Sequence, residues 1–144
     1  MPHTPETMMI LMQKDVWDKV LWCGKNKSSV IRLFVQKKYH PEEILTVQKE
    51  SFIPPPKVES SILFFKKHDL YNFIDDDIFL KLIKIWFSAN RKKLFKNFIS
   101  WGLSKNIVQD IFDKNQINQN VRAEDLSIDI WSKIISDFIS FWKL

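Results

Sequence analysis

The sequence predicts a chain in two parts, an α/β first half and an all-helical second half. Three observations carry that expectation. Short apolar runs at Thr7 to Gln13, Ile44 to Gln48 and Ser60 to Phe65 read as strands. From Asp76 onward the apolar residues recur three and four positions apart, which is the helical period. The chain has 144 residues, 45% of them hydrophobic and 14% aromatic, which fits one modest domain or two small pieces with ample core material.

Taken in order, Thr7 to Gln13 (TMMILMQ) predicts a buried strand. Lys14 to Trp22 carries Val16, Val20 and Leu21 with Trp17 between them, which predicts a short helix ended near Gly24. Ser28 to Tyr39 fits helix or strand, and a capping Ser28 or Ser29 favours the helix. After the strand at Ile44 to Gln48, the run Pro54-Pro55-Pro56 fixes φ and removes three donors, so Phe52 to Val58 is extended and stiff. The interval before Ser60 is too short for a helical crossover, so the flanking strands pair antiparallel. The chain changes character near Lys67 to Asp75. Asp76 and Asp77 then open a helix bearing Ile78, Phe79, Leu82, Ile83, Trp86 and Phe87.

Arg91 to Trp101 predicts a second helix with Leu94, Phe95, Phe98 and Ile99 on one face. Ser104 caps a third, with Ile107, Val108, Ile111 and Phe112 inside, and Asn115 to Asn120 is a polar loop. Ser127 caps a last helix through Trp142, whose aromatic stripe Trp131, Phe138, Phe141 and Trp142 reads as core. Three short strands with helices on one side have the character of the edge of a larger sheet.

Lys and Arg outnumber Asp and Glu by 22 to 17, for a net charge of +5. The distribution says more than the total. Lys25, Lys27, Arg32, Lys37 and Lys38 form one basic stretch, and Arg91, Lys92, Lys93 and Lys96 form another. The acids gather at Asp75 to Asp77 and after Glu124. Such stretches attract phosphates with an affinity that falls as salt rises. The single cysteine, Cys23, excludes an internal disulfide and a Cys-based zinc site. His3, His40 and His68 follow no ligand spacing, so no metal is expected. No apolar run is long enough to span a bilayer, and the start has no signal-peptide pattern. The expectation is a cytoplasmic protein without a membrane partner.

Four segments carry a family resemblance: LMQKDV (Leu11 to Val16), FIPPPKVESSI (Phe52 to Ile62), FSANRKKLFKNF (Phe87 to Phe98) and RAEDLSIDIW (Arg122 to Trp131). In order and approximate spacing they resemble the C-terminal part of the small-subunit rRNA adenine N6,N6-dimethyltransferase family. The resemblance implies the C-terminal strands of a Rossmann-like methyltransferase sheet followed by a small helical domain. Residues 1–68 would be the C-terminal portion of the methyltransferase domain, and residues 69–144 a helical rRNA-binding C-terminal domain. Thr7 to Gln13 would be the fifth strand of that sheet, with Ile44 to Gln48 and Ser60 to Phe65 the sixth and seventh.

The implied activity is transfer of methyl groups from S-adenosylmethionine to two adjacent adenines of small-subunit rRNA, during ribosome maturation. The implied partners are that rRNA, or the immature small subunit, and a missing N-terminal half. The family's Gly-rich loop, its acidic ribose ligand and its N-[LI]-P-[YF] motif have no counterpart here, where the glycines are Gly24 and Gly102. A loop that brings backbone N–H groups close to a cofactor needs residues without Cβ. No cofactor is therefore expected to bind this chain alone, and the chain alone is expected to be inactive. The family's Y-G-R near Ser28 is replaced by Ser-Ser-Val, and the first arginine of its R-R-K is Asn90. Two other readings stand beside this one: a non-catalytic RNA-binding module, and a nucleic-acid-binding protein like mitochondrial transcription factor B.

Phe52 is the foremost site candidate. Methylating an adenine amino group requires the base to leave its stack, and an aromatic face holds the extruded base. The resemblance gives the matching Phe that role; the residue alone reads rather as an ordinary core Phe beside a turn. Lys57 follows the prolines, where it meets either a phosphate or solvent. Arg91, Lys92, Lys93 and Lys96 sit where cations oppose a helix dipole, so phosphate contact explains them better than helix stability does. Arg122 reads as structural, with Glu124 and Asp125 pairing with it or capping the last helix.

Overall fold

The computed structural model describes residues 3–21, 27–89 and 91–142. The chain runs β1 (Thr7–Gln13), α1 (Lys14–Val20), α2 (Val30–Lys38), β2 (Tyr39–Val47) and β3 (Ser60–Lys67). It continues with α3 (Asp76–Phe87), α4 (Leu94–Ser100), α5 (Lys105–Lys114) and α6 (Ile128–Trp142). Short 3-10 turns at Lys49–Ser51 and Ala123–Asp125 complete it. The predicted end of α1 at Gly24 lies outside the described residues.

β3 is the central strand, antiparallel to β1 on one side and β2 on the other. The strand that the resemblance counts as seventh thus lies between those it counts as fifth and sixth. β2 begins at Tyr39 rather than Ile44, because its pairing with β3 extends back to Tyr39↔Lys67. Pairing overrides a polar stretch with low strand preference. Pro41 is tolerated there because β2 is an edge strand. The ladder shifts register between Glu43 and Leu45. β1 is not the buried strand its composition suggests: Met9 is 67% exposed and Leu11 50%.

The caps follow the sequence closely. Ser29 Oγ accepts from Arg32 N at 3.2 Å and starts α2. Asp75 Oδ1 accepts from Asp77 N and Ile78 N at 2.9 and 3.0 Å and starts α3. Ser104 and Ser127 cap α5 and α6. Each such cap supplies an acceptor to an otherwise orphaned donor, at about 1 kcal/mol.

Two apolar cores result. The larger gathers α3 to α6 around Trp86, which stacks on Trp131 at 5.5 Å and meets Phe98 at 4.7 Å. The smaller joins Trp17 and Val20 of α1 to Tyr39, Leu63 and Phe65 of the sheet. α2 belongs to both: Leu33 is buried in the helical core while Val35 packs on the sheet core. Four predicted core residues face outward instead. Val16 and Ile99 are exposed because their short helices bury one face only. Phe141 and Trp142 are each 52% exposed because the last turn of α6 runs past the core.

Candidate nucleic-acid interface

The Phe52 segment is an excursion between β2 and β3, pinned at both ends. On entry, the 3-10 turn places the Phe52 N–H on Lys49 O at 3.3 Å. On exit, Glu59 O accepts from Lys14 N at 2.9 Å, beside a Lys14–Glu59 ion pair at 3.7 Å. Between these pins the backbone at Phe52 is extended, as the proline run requires, and the Ile53–Pro54 peptide is cis. Phe52 itself is half-buried, Ile53 is fully exposed, and Lys57 is exposed. Phe52 thus lies, half-buried, near the entry pin, while Glu59 at the exit pin meets the junction of β1 and α1.

The second basic stretch is arranged differently from its prediction. α4 starts at Leu94, so Arg91, Lys92 and Lys93 form the turn before it rather than its first turn. Three cations at the positive end of a helix are unfavourable, and the Leu94 N–H instead meets Val121 O at 2.8 Å. The turn is firmly held. Lys92 N donates to Ala89 O at 2.9 Å, and the buried Asn97 amide donates to Trp86 O at 2.7 Å. Lys93 Nζ donates to Asn120 Oδ1 at 2.5 Å. Arg91, Lys92 and Lys96 are exposed and make no ion pair among the described residues. No hydrogen bond or ion pair joins Phe52 or Lys57 to this turn among the described residues.

In the first basic stretch, Lys27, Lys37 and Lys38 are each paired with a carboxylate. Lys37 is 1% exposed, donates to Asp76 Oδ1 at 2.6 Å and lies 5.7 Å from the Phe79 ring centre. Lys38 takes the other oxygen of the same carboxylate. Burial pulls the Asp76 carboxyl upward, but the two lysines outweigh it and hold it below its ordinary value. Lys27 pairs with Asp125 and with Glu124, the latter at 3.3 Å, and Arg32 donates to Lys27 O at 2.9 Å. The Asp125 bond lifts Lys27 above its ordinary value. Burial pulls Asp125 upward, and Lys27 together with the Arg122 N–H, at 2.7 Å, holds it lowered. Lys25 lies outside the described residues. Glu124 and Asp125 therefore serve Lys27 and the turn at Arg122, and Ser127 caps α6 in their place. These pairings were not foreseeable from either cluster alone, because they link residues 39 and 98 positions apart.

Among the described residues no Gly-rich loop of the kind that cradles S-adenosylmethionine is seen. The described glycine, Gly102, has φ +111° at the end of α4 and offers no cradle beside the sheet. Among the described residues no group of three His, Cys, Asp or Glu side chains is placed to hold a metal ion. No described helix is long and apolar enough to cross a membrane.

Three antiparallel strands followed by a helical bundle are the C-terminal strands of a Rossmann-like methyltransferase sheet with its helical continuation. Two solved structures share that fold. A dimethyladenosine transferase from Plasmodium falciparum matches with TM-score 0.77 at 19% identity, over 96% of this chain and 59% of its own. The 23S rRNA methyltransferase ErmE matches with TM-score 0.71 at 13% identity, over 92% of this chain and 54% of its own.

The chain belongs to the family described as ribosomal RNA adenine dimethylase, which matches residues 1–139. Among its relatives are proteins named ribosomal RNA small subunit methyltransferase A. The one from Fusobacterium nucleatum is 33% identical over 90% of this chain and 50% of its own length. That from Aliarcobacter butzleri is 35% identical over 90% and 48%. The chain spans about half the length of the curated relatives it matches.

Proposed function

We propose that this chain supplies the RNA-holding part of an S-adenosylmethionine-dependent rRNA adenine dimethyltransferase, with residues 1–68 completing a catalytic sheet and residues 69–144 gripping rRNA. The observation that carries the reading is the turn at Arg91 to Lys93 with Lys96, a cation cluster held at the surface with no carboxylate partner among the described residues. A fixed unpaired cluster is what phosphate contact needs, since each neutralised phosphate releases counterions. Phe52, aimed by two anchored loop ends, would stack on an adenine extruded from small-subunit rRNA. Lys57 would sit on the flanking phosphate.

Methyl donor binding falls outside these residues, to the half of the relatives' length that the chain does not span. The unpaired edge of β1, with Met9 and Leu11 exposed, is a surface such a half would cover. The substrate would be two adjacent adenines near the 3′ end of small-subunit rRNA, in the immature subunit.

The test is binding of the 144-residue chain to a hairpin from the 3′ end of small-subunit rRNA, titrated against salt. Binding that weakens steeply with salt supports the reading. Absence of binding at low salt, or preference for duplex DNA over the hairpin, overturns it. Incubation with labelled S-adenosylmethionine is expected to transfer no methyl group; transfer would overturn the assignment of donor binding to another half.

A further inference from the structure

A second concave site is lined in part by Asn115 and Gln116, at the start of the loop whose Asn120 holds Lys93 of the Arg91 turn. It is a cavity of about 590 Å³ between the Phe73 turn, the end of α5 and one face of α6. We infer that this cavity takes one unpaired nucleotide of the RNA that the chain binds, the base lying on Phe73 and its edge meeting the Gln116 amide. The inference rests on the RNA-binding reading above and adds a site to it.

The first observation is the lining. Phe73 is 64% exposed, an aromatic face that the protein does not use in its own core. Lys133 is exposed, with no ion pair among the described residues. Asp137 might be expected to repel an anion, but it is nearly buried and already neutralised: Lys114 pairs with one oxygen and the Asn115 amide donates to the other at 2.9 Å. The Ser136 hydroxyl and the Gln116 amide are further polar groups of the lining. An exposed ring, a free cation and neutral donor–acceptor groups match a base with its phosphate. A duplex presents no free base to such a cavity.

The second observation is the backbone at Gln116. Two helices end in the same motif. After α4, Leu103 N bonds Phe98 O at 3.2 Å and Gly102 N bonds Ile99 O at 3.0 Å, with Gly102 in the left-handed region. After α5, Ile117 N bonds Phe112 O at 2.8 Å and Gln116 N bonds Asp113 O at 3.1 Å, with Gln116 at φ 54°. Glycine is the ordinary residue at that position, and a side chain there is strained. The chain meets the ordinary requirement at Gly102 and departs from it at the cavity. The amide side chain is what the departure supplies.

The third observation is continuity. Asn115 lines the cavity and Asn120 holds Lys93 of the cationic turn. Five residue steps span at most ~18 Å, at the fully extended rise of ~3.6 Å per residue. One RNA strand can therefore reach both sites.

The experiment uses the 144-residue chain and two probes, the 3′ rRNA hairpin with a single-stranded tail and the same hairpin without it. Phe73→Ala is expected to weaken binding to the tailed probe by about tenfold without changing its salt dependence. Lys133→Gln is expected to lower the slope of log affinity against log salt by about 0.7. Gln116→Gly is expected to weaken binding severalfold while leaving the thermal midpoint equal or higher. None of the three should matter on the tailless probe. Unchanged binding in all three, with binding lost on reversing Arg91, Lys92 and Lys96, overturns this site and leaves the RNA-binding reading standing. Equal losses on both probes with a lowered midpoint assign the residues to folding and also overturn it. A parent chain that binds neither probe overturns both readings together.

Discussion

Lys37 and Lys38 meet a carboxylate within the fold and Lys27 meets two at its surface, whereas Arg91, Lys92 and Lys96 meet none among the described residues. In sequence the two stretches look alike. The difference is whether a later part of the chain returns an acid to them. Asp76, at the first turn of α3, reaches back to both Lys37 and Lys38, and Glu124 and Asp125 reach back to Lys27. Those bridges tie α2 and the chain just before it to the helical bundle. The Arg91 turn is instead tied by neutral groups: Asn97 to Trp86 O, Leu94 N to Val121 O and Lys93 to Asn120. Its charge is left outward and its backbone fixed. One stretch is structural adhesive; the other is the surface we propose for phosphate.

The sharpest way to break this comparison is to reverse charge on each side. Arg91→Glu, Lys92→Glu and Lys96→Glu together are expected to lower rRNA affinity about a hundredfold at low salt and to cut the salt slope by about two. The thermal midpoint should barely move, because exposed substitutions away from packing features stay within about 0.5 kcal/mol. A midpoint loss as large as the affinity loss would show that the turn is structural after all.

The next effect in size is on the other side. Asp76→Ala leaves Lys37 buried without its partner and should destabilise the chain by about 2 kcal/mol, less than for a wholly buried pair because Asp76 is partly exposed. Lys37→Met replaces the cation by an apolar side chain of similar length and should be close to neutral. Denaturant midpoints of the two variants decide it; equal losses would mean that the pair itself, not the orphaned charge, carries the stability.

Much of the fold was legible before any coordinates. Ser29, Ser104 and Ser127 cap helices where a serine precedes an apolar period, and Pro54 to Pro56 are not helical, although the segment bends at Phe52 to Pro54 rather than running simply extended. What was not legible depended on tertiary partners. β2 starts at Tyr39 because β3 is there to pair with it, although the apolar run that marks the strand in sequence starts only at Ile44. α4 starts at Leu94 because Val121 supplies an acceptor from another segment. Phe141 and Trp142 share the period of Trp131 and Phe138, but periodicity does not say where a core ends. For the candidate site, the residue types at Phe52 and Arg91 were readable, whereas their burial was not: Phe52 is half-buried and Arg91 exposed. The fate of Lys37 was not readable, since a lysine on a basic helix carries no local sign of burial.

The smallest effect concerns pH, and it separates the two structural bridges from each other. Asp76 has its carboxyl lowered in the fold from the ordinary 3.8. A lowered acid contributes stability that is present above its unfolded pKa and lost as pH falls through the folded one. The same sign holds for Asp125, also lowered from 3.8. Lys27 is raised from 10.5, so its share is present below that value and lost only as pH climbs above it. Both bridges are thus intact at neutral pH and weaken below about pH 4. They should not weaken equally. Protonating Asp76 strands the buried Lys37, while protonating Asp125 releases Lys27 to water. Lys37→Met should therefore flatten the decline of the thermal midpoint below pH 4, and Lys27→Met should leave that decline nearly unchanged. Thermal melts of both variants from pH 7 to pH 3 measure it. A decline flattened by Lys27→Met and not by Lys37→Met would move the acid-sensitive tie from the α2–α3 contact to the turn at Arg122.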